Sequence, residues 1–447
     1  MEPFILPLIF FLWLLTAAIS VPFYPRTVRK ARARAEQPGA KPEDTAKMLR
    51  QLRRRLLVTL VLGVVGAIGL TQMGIELGWA SGASAKSQGW SDGSSAALHA
   101  IASQYVGPLV RSDSVGATVV IIAGDQRGVS GFDRIRLSQS QLPDGNTIFE
   151  IGSITKAFTG ILLAEAIERG ELEIDRPVAG LVSEASAIPA IQQGQSITLK
   201  HLTTHTSGLP RLPPGFFSVG RLWRPLFGRD PYRNYSMDDW AKALRTVELE
   251  AAPGTQHSYS NFGAGLLGEA LSRRANTDYA DLVHTRICEP LDMGDTVVTL
   301  NQDQSARLAT GYRARLSLWP LLLGLRAENW EAPRAFAGAG ALRSSAKDMQ
   351  KFLAANMGLR TSELAPALKL AQQEQFRVND QHAAGMGWQR TWRDDVGQVV
   401  IWHNGGTGGY HSFLGFTEDR RVGVVILTNS STNCDPAGFE VLAALTK

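Results

Sequence analysis

Cysteine is the scarcest chemistry in this 447-residue chain, which has only Cys288 and Cys434. Two are too few for a disulfide-stapled scaffold or a cluster of thiolate zinc ligands. Charge is also thin, at 19% of residues, but 44% are apolar. That balance excludes wholesale disorder, because the chain carries enough apolar surface to build a core. A formal net charge of +5 points at first toward nucleic acid. The distribution excludes it: residues 26–55 hold 11 Lys/Arg against 3 Asp/Glu, a local +8, so the remainder of the +5 chain carries −3. The basic balance is one segment rather than a binding face, and no nucleic-acid partner is expected.

What the chain does have is a long apolar run on each side of that basic segment. Residues 3–24 contain no charge over 22 positions, enough to cross a hydrocarbon core of about 30 Å. Residues 56–79 are interrupted only by Glu76. Cytoplasmic loops retain Lys and Arg. The pattern therefore predicts a transmembrane hairpin (helices about 3–24 and 56–79, basic cytoplasmic loop 26–55), multi-pass in the inner cell membrane and partnered by its lipid bilayer. Everything after Trp79 would lie on the outer, periplasmic side. A cleaved signal peptide would need positive charge ahead of the apolar run, where only Glu2 stands. Residues 80–95 are rich in Ser and Gly and read as a flexible linker. Residues 96–447 are long enough for one large domain with a substantial core.

Within that domain, residues 96–109 have helical spacing, and 116–124 form an apolar, β-branched run suited to a buried strand. Residues 154–169 read as a strong amphipathic helix closed by Gly170. Residues 262–274 and 345–357 read as further helices, the latter opened by Ser345-x-x-Asp348, a variant capping box. Residues 399–403, 412–417 and 422–428 have strand character, 418–421 form a turn, and 439–446 a terminal helix. Strands at both ends with helices between them predict an α/β (α+β) domain: one mixed sheet with an inserted helical lobe.

Candidate chemistry begins at Ser153-x-x-Lys156. At a helix start this spacing puts both side chains on one face, with the lysine able to take a proton from the serine hydroxyl. The signal alone is weak, and a second match, Ser344-x-x-Lys347, reads as a capped surface helix. Tyr-x-Asn also occurs twice. Tyr232-x-Asn234 lies in an Arg- and aromatic-rich loop, whereas Tyr259-x-Asn261 follows Pro253-Gly254-Thr255 and opens a helix. Further on, His403-Asn404-Gly405-Gly406 ends a strand. Glycines at such an edge let a substrate approach the backbone and its N–H groups.

In order and setting, Ser153-x-x-Lys156, Tyr259-x-Asn261 and His403-x-Gly405 resemble the three motifs of the serine β-lactamase and penicillin-binding-protein family. The class C β-lactamase and D-alanyl-D-alanine carboxypeptidase branch is the best match. Supporting phrases are Leu202-Thr203-Thr204-His205-Thr206-Ser207-Gly208, Glu289-Pro290-Leu291-Asp292-Met293 and Gly340-Ala341-Leu342-Arg343-Ser344-Ser345. The resemblance spans about residues 96–447. It implies a β-lactamase/transpeptidase-like fold, a mainly antiparallel sheet flanked by helices, and a serine hydrolase with a covalent acyl-serine intermediate, which the separately predicted hairpin would anchor to the membrane. An amide or ester of a small molecule or peptide would be the substrate, without metal or cofactor. By the same resemblance Ser153 attacks, and Lys156 with Tyr259 forms the basic pair, the lysine's charge favouring an ionised or strongly hydrogen-bonded phenol. Asn261 would hold the substrate amide or the lysine head, and the backbone N–H groups of Ser153 and Gly406 the oxyanion. A penicillin-binding sensor that acylates without turnover is the alternative.

The departure is His403, where the lactamase branch usually has lysine. A histidine is often neutral when buried, so recognition of a substrate carboxylate, and with it β-lactam hydrolysis, should be weaker. His201 and His205 stand four apart, but a turn-and-cap role fits them better than a metal. Cys288 and Cys434 could pair outside the cell, but sequence says nothing of their distance, and a disulfide is the less favoured of the two states. Finally, aromatic residues (Phe216, Phe217, Trp223, Phe227, Tyr232) alternate with arginines between 210 and 240, and residues 316–325 lack charge. These segments suit a lip at the membrane surface or loops packed on the domain's own core.

Overall fold

The computed structural model describes residues 90–92, 96–113, 116–217, 224, 228–313 and 326–447. The expected hairpin, most of the linker, Trp223, Phe227 and residues 316–325 lie outside the described residues. Among the described residues no helix is long and apolar enough to cross a membrane.

Eleven strands are formed among the described residues: β1 Trp90–Asp92, β2 Ala117–Ala123, β3 Gln126–Phe132, β4 Ile148–Glu150, β5 Arg343–Ser345, β6 Phe376–Arg377, β7 His382–Ala384, β8 Gln389–Arg393, β9 Gln398–Gly406, β10 His411–Thr417 and β11 Val422–Thr428. Nine of them make one sheet in the order β1-β3-β2-β11-β10-β9-β8-β7-β6, and β4 pairs with β5 separately. Every pairing between these strands is antiparallel. The mixed sheet expected from strand distribution is thus corrected to an antiparallel one. The reason is local: β2–β3, β8–β9, β9–β10 and β10–β11 are joined by short connections, which allow only antiparallel neighbours.

The central strands are apolar throughout because both faces are covered. In β11, Val424 and Ile426 face a core completed by the Ala96–Tyr105 and Asp435–Thr446 helices, while Val425 and Leu427 face the helical lobe. The Thr155–Glu168 helix lies on the lobe side, and everything from Thr155 to Ala166 in it is buried. It is therefore not the amphipathic helix its spacing suggests but a central one, packed on all sides. Phe158 stacks on Phe352 at 4.1 Å between ring centres.

Glycines set how close the layers come. A Cβ on Gly160 would lie 1.9 Å from the Met386 carbonyl oxygen, and one on Gly387, whose φ is +69°, 2.0 Å from the Lys156 carbonyl oxygen. Alanine in a helix interior normally gains about 1 kcal/mol over glycine. Here overpacking reverses the sign, at a cost of about 1–3 kcal/mol. Gly160→Ala should lower the melting temperature, and an unchanged or raised value in a thermal melt would show that the 386–387 turn gives way freely.

Candidate active site

Ser153 sits in a single 3-10 turn, Gly152–Ile154, that feeds directly into the Thr155–Glu168 helix. Gly152 holds this turn at φ +49°, a conformation side chains disfavour. Thr155 Oγ1 donates to the Gly152 carbonyl at 2.7 Å, and the Leu342 N–H donates to Thr155 Oγ1 at 3.2 Å. The turn is thus clamped from both sides. One helical turn on, Lys156 is only 2% exposed. Its Nζ lies 2.9 Å from Ser153 Oγ, 2.8 Å from Asn261 Oδ1 and 2.6 Å from the Ala339 carbonyl oxygen. Burial, and then the Arg211 guanidinium, hold the Lys156 ammonium well below the ordinary lysine range. Both effects favour the neutral amine.

Tyr259 and Asn261 arrive from the lobe, at the entry of the Asn261–Ala275 helix. Ser260 caps that helix by accepting from the Gly263 N–H at 2.8 Å, and its own hydroxyl donates to the Pro210 carbonyl at 2.7 Å. The Tyr259 ring lies 4.8 Å from Lys156 Nζ and 5.1 Å from Arg211 Cζ, and its hydroxyl hydrogen-bonds Ser153. Burial pushes the phenol up to about 12, although that bond and Arg211 pull the other way. Of the two forms expected from sequence, the ionised phenol is therefore disfavoured and the hydrogen-bonded one remains. His205 packs on Tyr259 at 4.5 Å. Held at φ +58°, it accepts the Ser260 N–H at 3.2 Å through Nδ1. This turn-forming histidine fixes the tyrosine's backbone.

The third motif lies on β9, paired with β10 so that His403 faces Leu414 and Gly405 faces Ser412. Gly405 is there because nothing larger fits: a Cβ would come 2.0 Å from the Ile151 carbonyl oxygen and 2.5 Å from Ser412 Oγ. A Cβ on Gly152 would likewise lie 2.8 Å from the Gly406 nitrogen, so β9 runs against the serine's own turn. Gly405 and Gly406 line the cleft with Ser153, Tyr259 and Asn261. His403 is 2% exposed, behind that wall. Its Nδ1 lies 2.6 Å from the Asn404 carbonyl, which can only accept, so the proton is on Nδ1 and the buried Nε2 keeps a lone pair without a partner among the described residues. Burial, then Lys156, push this imidazole down to about 3, so it is neutral.

Several residues enter this picture that motif reading missed or misplaced. Tyr232 lines the cleft and hydrogen-bonds Asn261, although the Tyr232-x-Asn234 match reads as a loop. Phe216 is 2% exposed and packs on Tyr232, Tyr235 and Phe336, so it belongs to the domain's own core, while Phe217 is 49% exposed. Ser344 is not on the surface: it is fully buried in β5 and shares a 2.8 Å hydrogen bond with Thr296. The turn-and-cap role expected of His201 is found, since it completes a capping box with Thr198, and both cysteines, whose pairing the sequence leaves open, are free and buried. Glu150, three residues before Ser153, is 4% exposed. Its Oε1 accepts the Trp330 N–H at 2.9 Å, and Arg343 lies 3.9 Å away. Only tertiary contacts reveal these roles.

Against known proteins, the Beta-lactamase family model matches residues 102–445. The D-alanyl-D-alanine-carboxypeptidase/endopeptidase AmpH of Escherichia coli (strain K12) is 28% identical over 332 residues, covering 72% of this chain and 80% of that protein. A Beta-lactamase of the same strain is 24% identical, covering 75% of this chain and 89% of that protein. The crystal structure of a beta-lactamase/D-alanine carboxypeptidase from Yersinia pestis, complexed with citrate, superposes with a TM-score of 0.66 at 25% identity, over 79% of this chain and all of that one.

The Glu150 carboxyl carries a stability consequence. Burial raises it from 4.5 to about 7 against the pull of Arg343. Folded protein then binds the proton more tightly than unfolded protein does. The stability this contributes is complete below pH 4.5 and is lost as pH climbs through about 7. Glu150→Gln removes the penalty, so its stability relative to wild type should improve by up to ~3 kcal/mol between pH 5 and pH 8. Denaturant unfolding at both pH values reads this, and a difference independent of pH would mean the carboxyl does not titrate in that window.

Proposed function

This chain belongs to the beta-lactamase family of serine hydrolases, which work through an acyl-enzyme, and we propose that Ser153 is its nucleophile toward amide or ester substrates of the peptidase kind. The observation that carries the reading is the environment of Lys156. A neutral amine has two N–H donors and one lone pair. Asn261 Oδ1 and the Ala339 carbonyl can only accept, so they take the two N–H groups. The lone pair then faces Ser153 Oγ at 2.9 Å, with the serine hydroxyl donating to it. That is the geometry of a general base on its nucleophile.

In the proposed sequence, Ser153 Oγ attacks the carbonyl carbon as its proton passes to Lys156. Negative charge on the carbonyl oxygen is met by backbone N–H groups of Ser153 and Gly406. Tyr259, protonated and bonded to Ser153, gives its proton to the leaving nitrogen or oxygen and recovers one from the Lys156 ammonium. Water then repeats the cycle on the acyl-serine. The carboxypeptidase, endopeptidase and beta-lactamase activities named for the relatives fit this chemistry. His403, neutral and buried, offers no charge to a substrate carboxylate. We further infer that residues 1–79 anchor the domain to the inner membrane with its cleft on the periplasmic side, on the strength of the two uncharged runs and the basic segment between them.

A fluorophosphonate probe should label the full chain at Ser153. Ser153→Ala should abolish labelling, and Lys156→Ala and Tyr259→Phe should each slow it by about two orders of magnitude or more. Labelling that survives in Ser153→Ala overturns the assignment. For the anchor, the full chain should stay in the membrane pellet through alkaline carbonate, and protease added outside spheroplasts should digest the catalytic domain. Release by carbonate, or protection from protease, would remove the anchoring or the orientation respectively.

A further inference from the structure

Among the described residues, one group of side chains outside the Ser153 machinery combines donor types that hold a transition metal: His411, Cys434 and Asp435. His411 opens β10 opposite Gly406, and both line the cleft. Cys434 comes 23 residues later and, with Asp435, starts the terminal helix Asp435–Thr446. The fold therefore brings together what the chain keeps apart. One donor atom from each, His411 Nδ1, Cys434 Sγ and an Asp435 carboxylate oxygen, lies within 4.8 Å of the other two.

The hydrogen bonds leave these atoms in ligand form. The Cys434 backbone N–H can only donate, and it points at His411 Nδ1 from 3.3 Å. That nitrogen therefore carries a lone pair, and the ring proton is on Nε2. Cys434 Sγ lies 3.2 Å from the same nitrogen. Asp435 divides its two oxygens: Oδ2 accepts the Asn404 side-chain amide at 2.6 Å, whereas Oδ1 is buried with no hydrogen-bond partner among the described residues. That orphan oxygen lies 3.9 Å from Nδ1. Metal bonds of about 2.0–2.3 Å at tetrahedral angles set donor separations of about 3.3–3.6 Å. The observed 3.2 and 3.9 Å fall on either side of that range. Asn404 supplies the outer hydrogen bond that aims a ligating carboxylate. Cys434 is fully buried, while the His411 and Asp435 side chains are 14% and 16% exposed, which leaves an ion a path in and a fourth position for water.

We propose that His411, Cys434 and Asp435 bind one divalent transition-metal ion of the zinc class, which fastens the start of β10 to the terminal helix. Thiolate and imidazole donors favour such an ion over calcium or magnesium, which take oxygen ligands. On binding, the Cys434 S–H bond breaks, its proton leaves to solvent, and the electron pair left on sulfur forms the metal–sulfur bond. The lone pairs of Nδ1 and Oδ1 complete the protein's share, and nothing is oxidised or reduced. No step of the acyl transfer passes through the ion, so the site is independent of the Ser153 reading. Its effect is mechanical: β10 pairs with the part of β9 that carries Gly405 and Gly406, and the ion braces that wall from behind.

The test titrates the full chain, purified in detergent and stripped with a chelator, with zinc and separately with cobalt. One equivalent of either ion should bind. Cobalt should give the intense visible bands of a tetrahedral site and a sulfur-to-cobalt charge-transfer band in the near ultraviolet. Zinc should raise the melting temperature, because an ion held only by the folded state stabilises it. The charge-transfer band should vanish in Cys434→Ser and persist in Cys288→Ser. Asn404→Ala, which removes the outer bond but no ligand, should weaken zinc binding by about 10- to 100-fold. Stripped wild type that takes up no zinc overturns the proposal. So does a charge-transfer band that survives in Cys434→Ser or disappears in Cys288→Ser, or a zinc affinity equal in wild type and His411→Ala. With only two cysteines in the chain, the wild-type and Cys288→Ser spectra assign the sulfur even where Cys434→Ser fails to fold.

Discussion

A lysine that is 2% exposed, with no carboxylate paired to it among the described residues, is the constraint around which this domain is arranged. Burial without a counter-charge disfavours the ammonium and draws this side chain toward its neutral form. Its three polar partners come from three different segments: Ser153 from a 3-10 turn, Asn261 from the lobe, and Ala339 from the stretch before β5. Each must be held within about 3 Å, the reach of a hydrogen bond. The hydroxyl of Thr159 and the carbonyl of Gly338, bonded at 2.8 Å, hold the Ala339 segment against the central helix. Gly268 and Gly338 let the lobe helix approach that segment closely.

The same economy of space governs the opposite wall. Strand β9 can lie against the Ile151–Gly152 backbone only because Gly405 and Gly152 present no Cβ there. Ser412 on β10 fixes the contact by donating to the Ile151 carbonyl at 2.9 Å. The turn that carries Ser153 is therefore positioned by β9 and β10, and Lys156 by the lobe. Disturbance of either layer reaches the other through three residues of backbone.

What the sequence shows of this arrangement is what local chemistry can encode. The motif order separates Ser153 from Ser344 without coordinates, since only the former has a tyrosine motif and a glycine-rich strand after it. The terminal strands are legible because β-branched runs and a tight turn imply them. Ala339 is not legible, because it contributes a backbone oxygen that any residue would supply. Nor is His205, whose left-handed backbone and stacking on Tyr259 depend on a chain segment about fifty residues away. The central helix misleads for a related reason: its periodicity records one apolar face, whereas both layers of the domain close on it. Arg211 looks in sequence like one of several loop arginines, and only its orientation toward Tyr259 sets it apart.

Burial also sorts the acid from the base. Lysine and tyrosine ordinarily titrate within about half a unit of each other, near 10. Removing water disfavours the charged form of each, and the charged forms lie on opposite sides of the equilibrium, so desolvation drives Lys156 down and Tyr259 up to about 12. Arg211 acts downward on both, after burial has set them apart. Burial thus favours a neutral amine and a protonated phenol, both beside the same serine hydroxyl. In the proposed reaction one takes the proton that attack releases, and the other supplies the proton the leaving group needs. Pairs pushed apart in this way mark acid and base assignments. Here no third titrating group is required, which is consistent with a third-motif histidine that is neutral and behind the cleft wall.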